Sequence, residues 1–311
     1  MTDDPFAPDA ISPETAAFLD DLKETLATMP APHELPPAVA RQARAEGKSI
    51  FPPSGPFEGS DWIEAPTTPG RARLTPGSGA LIIHVHGSGW TLGAPEQNDG
   101  WCQHLARETG AAVISLPYRL APEHPWPACA DDVEAGAVWA IETLAPTLNA
   151  DRFAICGESA GAHLALVALL RLRARDLLTD MRAALLHYGC FDLRMTPSAL
   201  NWGEEVLILS TPAMQWFADN LTTGDQALKS DPEVSPMFAD LSGLPPALFQ
   251  CGTADPLLDD TLFMTERWKA AGNEAERKLY PGGVHAFERF DLAISRQART
   301  AAAEFLKTRL A

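Results

Sequence analysis

Apolar and polar positions run through this chain in two rhythms. From about Ser12 to Met29 apolar and acidic residues recur at helical spacing, and Pro37 to Gly47 repeats the pattern after the proline-rich break Pro30 to Pro37. Two N-terminal helices outside any sheet are predicted. Trp62–Ala65 and Arg71–Leu74 read as an antiparallel strand pair turning through Thr67-Thr68-Pro69-Gly70, and Ala80–His86 is a dense apolar strand of the kind buried on both faces. Strand and helix then alternate. The pattern gives a helix over Gln97–Thr109, a strand over Ala112–Leu116, a helix over about Ala128–Leu144, a strand over Arg152–Ile155 and a helix over Leu164–Leu172. Strands follow at Ala183–His187 and Ala247–Cys251, then a helix at Leu257–Ala271, a strand at Glu276–Tyr280 and a helix from about Asp291 to Leu310. Such alternation predicts an α/β fold, a mostly parallel sheet flanked by helices.

The rhythm breaks once. About 60 residues separate the strand ending near His187 from the one starting near Ala247, with helical stretches at Ser198–Leu209 and Pro212–Asn220. A crossover needs far fewer residues, so the segment reads as an insertion. Trp202, Trp216 and Phe217 on its helices offer apolar walls for a pocket. The expected organisation is a helical cap from residues 1–48 and 190–230, over a catalytic domain made of 49–189 and 231–311.

Composition changes this picture mainly by exclusion. Lys and Arg number 24 against 41 Asp and Glu, so the net charge is 24 − 41 = −17, which disfavours nucleic acid or an anionic membrane surface as partner. No apolar run approaches the ~20 residues of a membrane span, and Met1-Thr2-Asp3-Asp4-Pro5 has no basic leader region, so a cytoplasmic protein is expected. The five cysteines are widely spaced in apolar segments, which suits reduced buried thiols, and no ligand-spaced cluster suggests a metal.

The candidate chemistry centres on Gly157-Glu158-Ser159-Ala160-Gly161, between the strand at Arg152–Ile155 and the helix at Leu164–Leu172. A strand that turns directly into a helix leaves the serine hydroxyl exposed at the tip, and the two glycines allow the turn to be tight. The Ala160 N–H opens the helix as a free donor suited to an oxyanion. A serine needs a base, and that base needs an orienting acid. His285, in the loop Pro281–Phe287 after the last strand, is the candidate base; Asp255, after the strand at Ala247–Cys251, fits the order Ser, Asp, His. His163 and His187 read as structural, and Asp259 and Asp260 as charges loading a helix N-terminus. The glycines of His86-Gly87-Ser88-Gly89-Trp90 let backbone N–H groups approach a substrate oxygen, which makes Gly87, Ser88 and Gly89 oxyanion candidates beside Ala160.

Taken together these residues resemble the bacterial hormone-sensitive-lipase-like esterases, family IV of the lipolytic α/β-hydrolases. The resemblance rests on His86–Trp90 for HGGGW, Tyr118–Ala128 for YRLAPEHPFPA, Gly157–Gly161 for G[DE]SAG, Asp255-Pro256-Leu257 for DPL, Gly283–Phe287 for the GxxHGF-type loop and Ser235–Pro246 for SPLFADLSGLPP. It covers about Ala80 to the C-terminus, and the N-terminal helices resemble the family's cap. It implies an α/β-hydrolase fold, a Ser159-His285-Asp255 triad, an oxyanion hole after His86 plus Ala160, short to medium acyl esters as substrate, and no cofactor. Ser88 departs from the middle glycine, Ala286 from a usual glycine, and Ala162 follows Gly161. Arg119, Glu123 and His124 are expected to bond to one another and buttress the site. Trp90, Glu158, Trp202, Trp216 and Phe287 are the candidate pocket residues. The expectation is a serine carboxylesterase, with an amidase, lactonase or formamidase, a non-catalytic binder and a homodimer left open.

Overall fold

The computed structural model describes residues 4–7, 9–67 and 69–311. Met1 to Asp3 of the expected leaderless start and Thr68 of the expected turn lie outside the described residues.

The chain opens with α1 (Pro13–Leu26), capped by the Ser12 hydroxyl, and α2 (Pro37–Ala45), both shorter than the sequence pattern. An antiparallel pair, β1 (Asp61–Glu64) and β2 (Arg71–Thr75), leads into β3 (Ala80–Val85), α3 (Asp99–Thr109), β4 (Ala112–Leu116) and α4 (Ala128–Trp139). A π turn at Ala140–Leu144 joins α4 to α5 (Ala145–Thr147). Next come β5 (Arg152–Glu158), α6 (Ala160–Arg173), β6 (Met181–His187), then α7 (Pro197–Leu200), α8 (Thr211–Thr222) and α9 (Gln226–Lys229). The series ends with β7 (Ala247–Ala254), α10 (Leu258–Ala270), β8 (Ala275–Val284) and α11 (Ala293–Leu310).

The eight strands form one sheet in the order β1-β2-β4-β3-β5-β6-β7-β8, parallel from β4 to β8. Strand β3 shows why both faces are apolar. Leu81, Ile83 and Val85 join a core with Val133 and Ala137 of α4 and the leucines of α6, whereas Ile82 joins Leu105 of α3 and Leu306 of α11 on the other face. Alternate side chains thus enter separate layers, and a strand covered on both sides has no polar face to show.

Three expectations change. The helix read at Ser198–Leu209 is only α7, because Gly203 and Ile208 both take positive φ (87° and 71°), and the chain instead makes a bridge between Leu207 and Leu209. Strand β5 runs past Ile155 to Glu158, paired with β6, and still turns directly into α6 at Ser159 as expected. Strand β8 runs through Pro281-Gly282-Gly283 to Val284 after a register shift against β7, so His285 follows a strand end rather than sitting within a loop. Among the described residues no helix is long and apolar enough to cross a membrane.

Candidate active site

The connections leaving β3 and β5 run to opposite sides of the sheet, and at such a switch point a crevice opens beyond the carboxyl ends of the strands. The loops after β3, β5, β7 and β8 all reach this edge. Ser159 turns β5 into α6 with φ 55° and ψ −122°, a strained conformation that costs on the order of 1–3 kcal/mol. The turn is tight because α6 lies directly on the sheet. A Cβ on Gly157 would stand 2.4 Å from the Gly161 carbonyl carbon, and one on Gly161 would stand 2.0 Å from the Val85 carbonyl oxygen. Only glycine fits at either place.

His285 Nε2 stands 2.9 Å from Ser159 Oγ, and His285 Nδ1 stands 2.9 Å from Asp255 Oδ2. Asp255 is itself fixed, because its second oxygen accepts the Leu257 N–H at 2.9 Å. Asp255 and His285 are buried while Ser159 is partly open, so a water-poor relay ends at an accessible hydroxyl. Ala286 has φ 59°, and this left-handed step just after His285 turns the chain back under the imidazole.

After β3 the chain is equally constrained. Ser88, Gly89 and Trp90 all have positive φ (87°, 61° and 57°). The N–H groups of Ser88, Gly89 and Ala160 have no protein acceptor among the described residues, and Gly87, Ser88, Gly89 and Ala160 line the same cavity as Ser159. Tyr118 stacks on His86 at 4.1 Å and its hydroxyl donates to the His86 carbonyl at 2.9 Å, which holds the root of this loop. Burial pushes His86 down to about 3, so its ring is neutral.

The expected bonds among Arg119, Glu123 and His124 are absent. Arg119 instead pairs with Asp132 of α4 at 2.8 Å. Glu123 is held by both terminal nitrogens of Arg41 at 2.8 Å, and Arg41 also donates to the Thr91 and Ala121 carbonyls. Helix α2 is thereby clamped to the loop after β3. Sequence reading missed Arg41 because its partners lie 50 to 82 residues away.

Other expectations resolve individually. His163 is structural: Trp90 Nε1 donates to its Nδ1 at 3.1 Å, its Nε2 donates to the Val234 carbonyl at 2.7 Å, and burial pushes it down to about 4. His187 is fully buried beneath the site. Asp259 and Asp260 do more than load a helix end. Asp259 accepts the Ser198 N–H, and buried Asp260 accepts the N–H groups of Phe191 and Asp192 and the Thr196 hydroxyl, pinning the segment after β6. All five cysteines are free thiols.

The cavity over Ser159 has a volume of about 400 Å³. Trp90 and Glu158 line it as expected. Glu158 accepts from His84 at 3.0 Å; burial disfavours its charge, yet the His84 imidazole holds its carboxyl below the usual range. Trp202, Trp216 and Phe287 do not line the cavity. Trp202 is tied by its indole N–H to the Glu205 carbonyl, and Phe287 is buried under Tyr280 at 5.1 Å. On α8 one residue turns the side chain by about 100°, so Phe217 and Met214 face the cavity while Trp216 packs on the flank of Phe217. Residues 26–51 supply much of the remaining wall, including Leu35, Arg44 and Phe51.

A family model described as an alpha/beta hydrolase fold matches residues 82–289. The carboxylic ester hydrolase LipN of Mycobacterium tuberculosis is 31% identical over 227 residues, 70% of this chain and 60% of that relative's length. An esterase of Acinetobacter venetianus is 34% identical over 229 residues, 72% of this chain and 74% of its own. The solved structure of a hormone-sensitive lipase from a metagenome library superposes with a TM-score of 0.83 at 27% identity, covering 96% of this chain and 98% of that one. With the strand order, the Gly157–Gly161 turn and the His86–Trp90 loop, these similarities show that the chain belongs to the hormone-sensitive-lipase-like, family IV esterases, carboxylic ester hydrolases of the α/β-hydrolase fold.

Proposed function

We propose that the chain is a serine carboxylesterase that hydrolyses short- to medium-chain acyl esters through an acyl-enzyme. The observation that carries this reading is the unbroken relay Ser159–His285–Asp255 opening into an apolar-walled cavity. Ser159 Oγ attacks the ester carbonyl as His285 Nε2 takes its proton, and the N–H groups of Ser88, Gly89 and Ala160 receive the oxyanion. His285 then protonates the departing alcohol. Water, deprotonated by the same imidazole, attacks the acyl-Ser159 carbonyl and releases the acid. Asp255 fixes the tautomer of His285 and stabilises its cation.

Residues 1–48 and 190–230 act as a cap in this reading, since Leu35, Ala43, Leu209 and Phe217 close the cavity from above the strand ends. A bounded cavity limits the acyl chain, so turnover of p-nitrophenyl esters should be best at roughly C2 to C8 and fall steeply by C12. A profile that stays level to C16 would contradict the cap. Removing residues 1–48 should flatten the profile and lower stability, because the apolar undersides of α1 and α2 leave their partners.

A further inference from the structure

Arg44, on the last turn of α2, lines the cavity that holds Ser159. Its Nη1 donates to Ser88 Oγ at 2.7 Å, while its Nε and Nη2 have no acceptor and no carboxylate forms an ion pair with it among the described residues. Arg289, arriving from the turn after His285, lines the same cavity. It donates to Ser54 Oγ at 2.6 Å and to the Gln97 carbonyl, again with no ion pair among the described residues. The Phe51 ring lies beside both guanidiniums, 5.7 Å from Arg44 and 4.9 Å from Arg289.

Two guanidiniums in one cavity repel each other, and Arg44 gains no counter-charge among the described residues. The cost is visible on Arg44, which burial, and then the charge of Arg289, bring down to about 10. The carboxylates lining the cavity bear on Arg289 and not on Arg44. Lys48 is exposed and paired with Glu46, Glu158 is paired with His84, and burial pushes the Glu288 carboxyl up to about 7. Ser88 and Arg44 also explain each other: a serine with φ 87°, where glycine would be unstrained, supplies the hydroxyl that aims the guanidinium. Both guanidiniums are partly buried, and a charge set in a cavity wall costs least when an opposite charge meets it there.

We propose that Arg44, backed by Arg289, is the counter-charge for a carboxylate on the substrate, so that the preferred substrates are esters carrying an ionised carboxyl group a few bonds from the scissile carbonyl. This rests on the ester-hydrolase reading and names its substrate class. The short span follows from Ser88, which joins Arg44 to the loop whose N–H groups face the reacting oxygen. A planar guanidinium whose Nε and Nη2 are both free suits a carboxylate, which accepts two parallel N–H bonds. The net charge of −17 does not oppose this, since the fields of exposed carboxylates fade over about 8 Å at physiological ionic strength whereas contacts inside the cavity are screened far less.

The test compares isosteric pairs by pH-stat titration of the acid released. Monoethyl succinate against ethyl 4-methylpentanoate places the carboxylate on the acyl side; acetoxyacetate against isobutyl acetate places it on the alcohol side. The readout is the ratio of kcat/KM, charged over neutral. In one series the wild type should favour the charged ester by about 10- to 100-fold, the range of a charge-assisted hydrogen-bonded pair. Arg44→Met should collapse that ratio, and Arg44→Lys should keep part of it. Hydrolysis of the neutral esters with a ratio of one or less in both series would overturn the proposal and leave the esterase standing. An Arg44→Met variant slower on both esters, with the ratio intact, would also overturn it, making Arg44 only a prop for Ser88. No turnover of any of the four would remove the underlying reading as well.

Discussion

Ser159→Ala should reduce ester turnover by about four to six orders of magnitude while leaving the fold intact. The hydroxyl makes one hydrogen bond, to His285 Nε2, and caps no helix N–H, so little packing depends on it. What remains after its removal is a cavity that binds and polarises the ester without a nucleophile. His285→Ala should approach the same loss, and the double variant should be scarcely worse than either single one, because base and nucleophile act as a unit. Single-turnover assays with a p-nitrophenyl ester would check this, with circular dichroism as the control for folding. Near-normal turnover by a folded Ser159→Ala protein would remove Ser159 from the mechanism. Additive losses would separate it from His285.

The largest effect on stability is expected away from Ser159, at Asp260. Its carboxyl holds the Phe191 and Asp192 amides and the Thr196 hydroxyl at 2.6–3.0 Å, so Asp260→Ala would strand three buried donors at about 1–3 kcal/mol each. Even with relaxation a loss of about 3 kcal/mol is expected, on the order of 5–10 °C in Tm. Asp260→Asn keeps one acceptor and should lose less. Burial pushes Asp260 up to about 7, against the pull of Thr196 and the two amides. The unfolded carboxyl ionises near about 3.9, so between about pH 4 and 7 the folded chain keeps a proton that the unfolded chain releases. Its contribution is complete below about pH 4 and is lost as pH rises through 7. Glu288 has the same sign, so the informative quantity is the difference in unfolding free energy between wild type and Asp260→Asn as a function of pH. A difference that stays flat from pH 4 to 8, or Asp260→Ala within 0.5 kcal/mol of wild type at every pH, would refute this account.

The parts legible in the sequence were those whose cause is local. Strand β3 announces burial on both faces by its dense apolar run, and Ser159 and His285 are marked by the residues immediately around them. Their mutual placement follows once every parallel strand ends at the same edge. What escaped depends on pairs distant in the chain. Arg44 reaches Ser88 across 44 residues, and nothing near Arg44 distinguishes it from a solvent-facing arginine on an amphipathic helix. The spacing of Ala199, Trp202, Val206 and Leu209 imitates a helix and so puts Trp202 on a pocket wall, while the positive φ values at Gly203 and Ile208 break that helix. Phe287 carries a motif position but serves the core, its ring enclosed with Val284 and Ala298.

Helix α1 rests largely on segments made some 250 to 280 residues after it. Phe18 packs on Phe290 at 4.8 Å, Leu22 shares a cluster with Val284, Phe287 and Ile294, and Glu14 caps the start of α11 through the Ala293 N–H at 2.8 Å. During synthesis, at roughly 5–20 residues per second, α1 therefore waits on the order of 15–60 s for the strand and helix that cover its apolar side. Throughout that interval Phe18, Leu19, Leu22 and Leu26 form an unpartnered stripe on a nascent chain, the kind of surface that holdase chaperones bind. The covering of α1 and the delivery of His285 to Ser159 then become a single late event, so a stalled or truncated chain has neither.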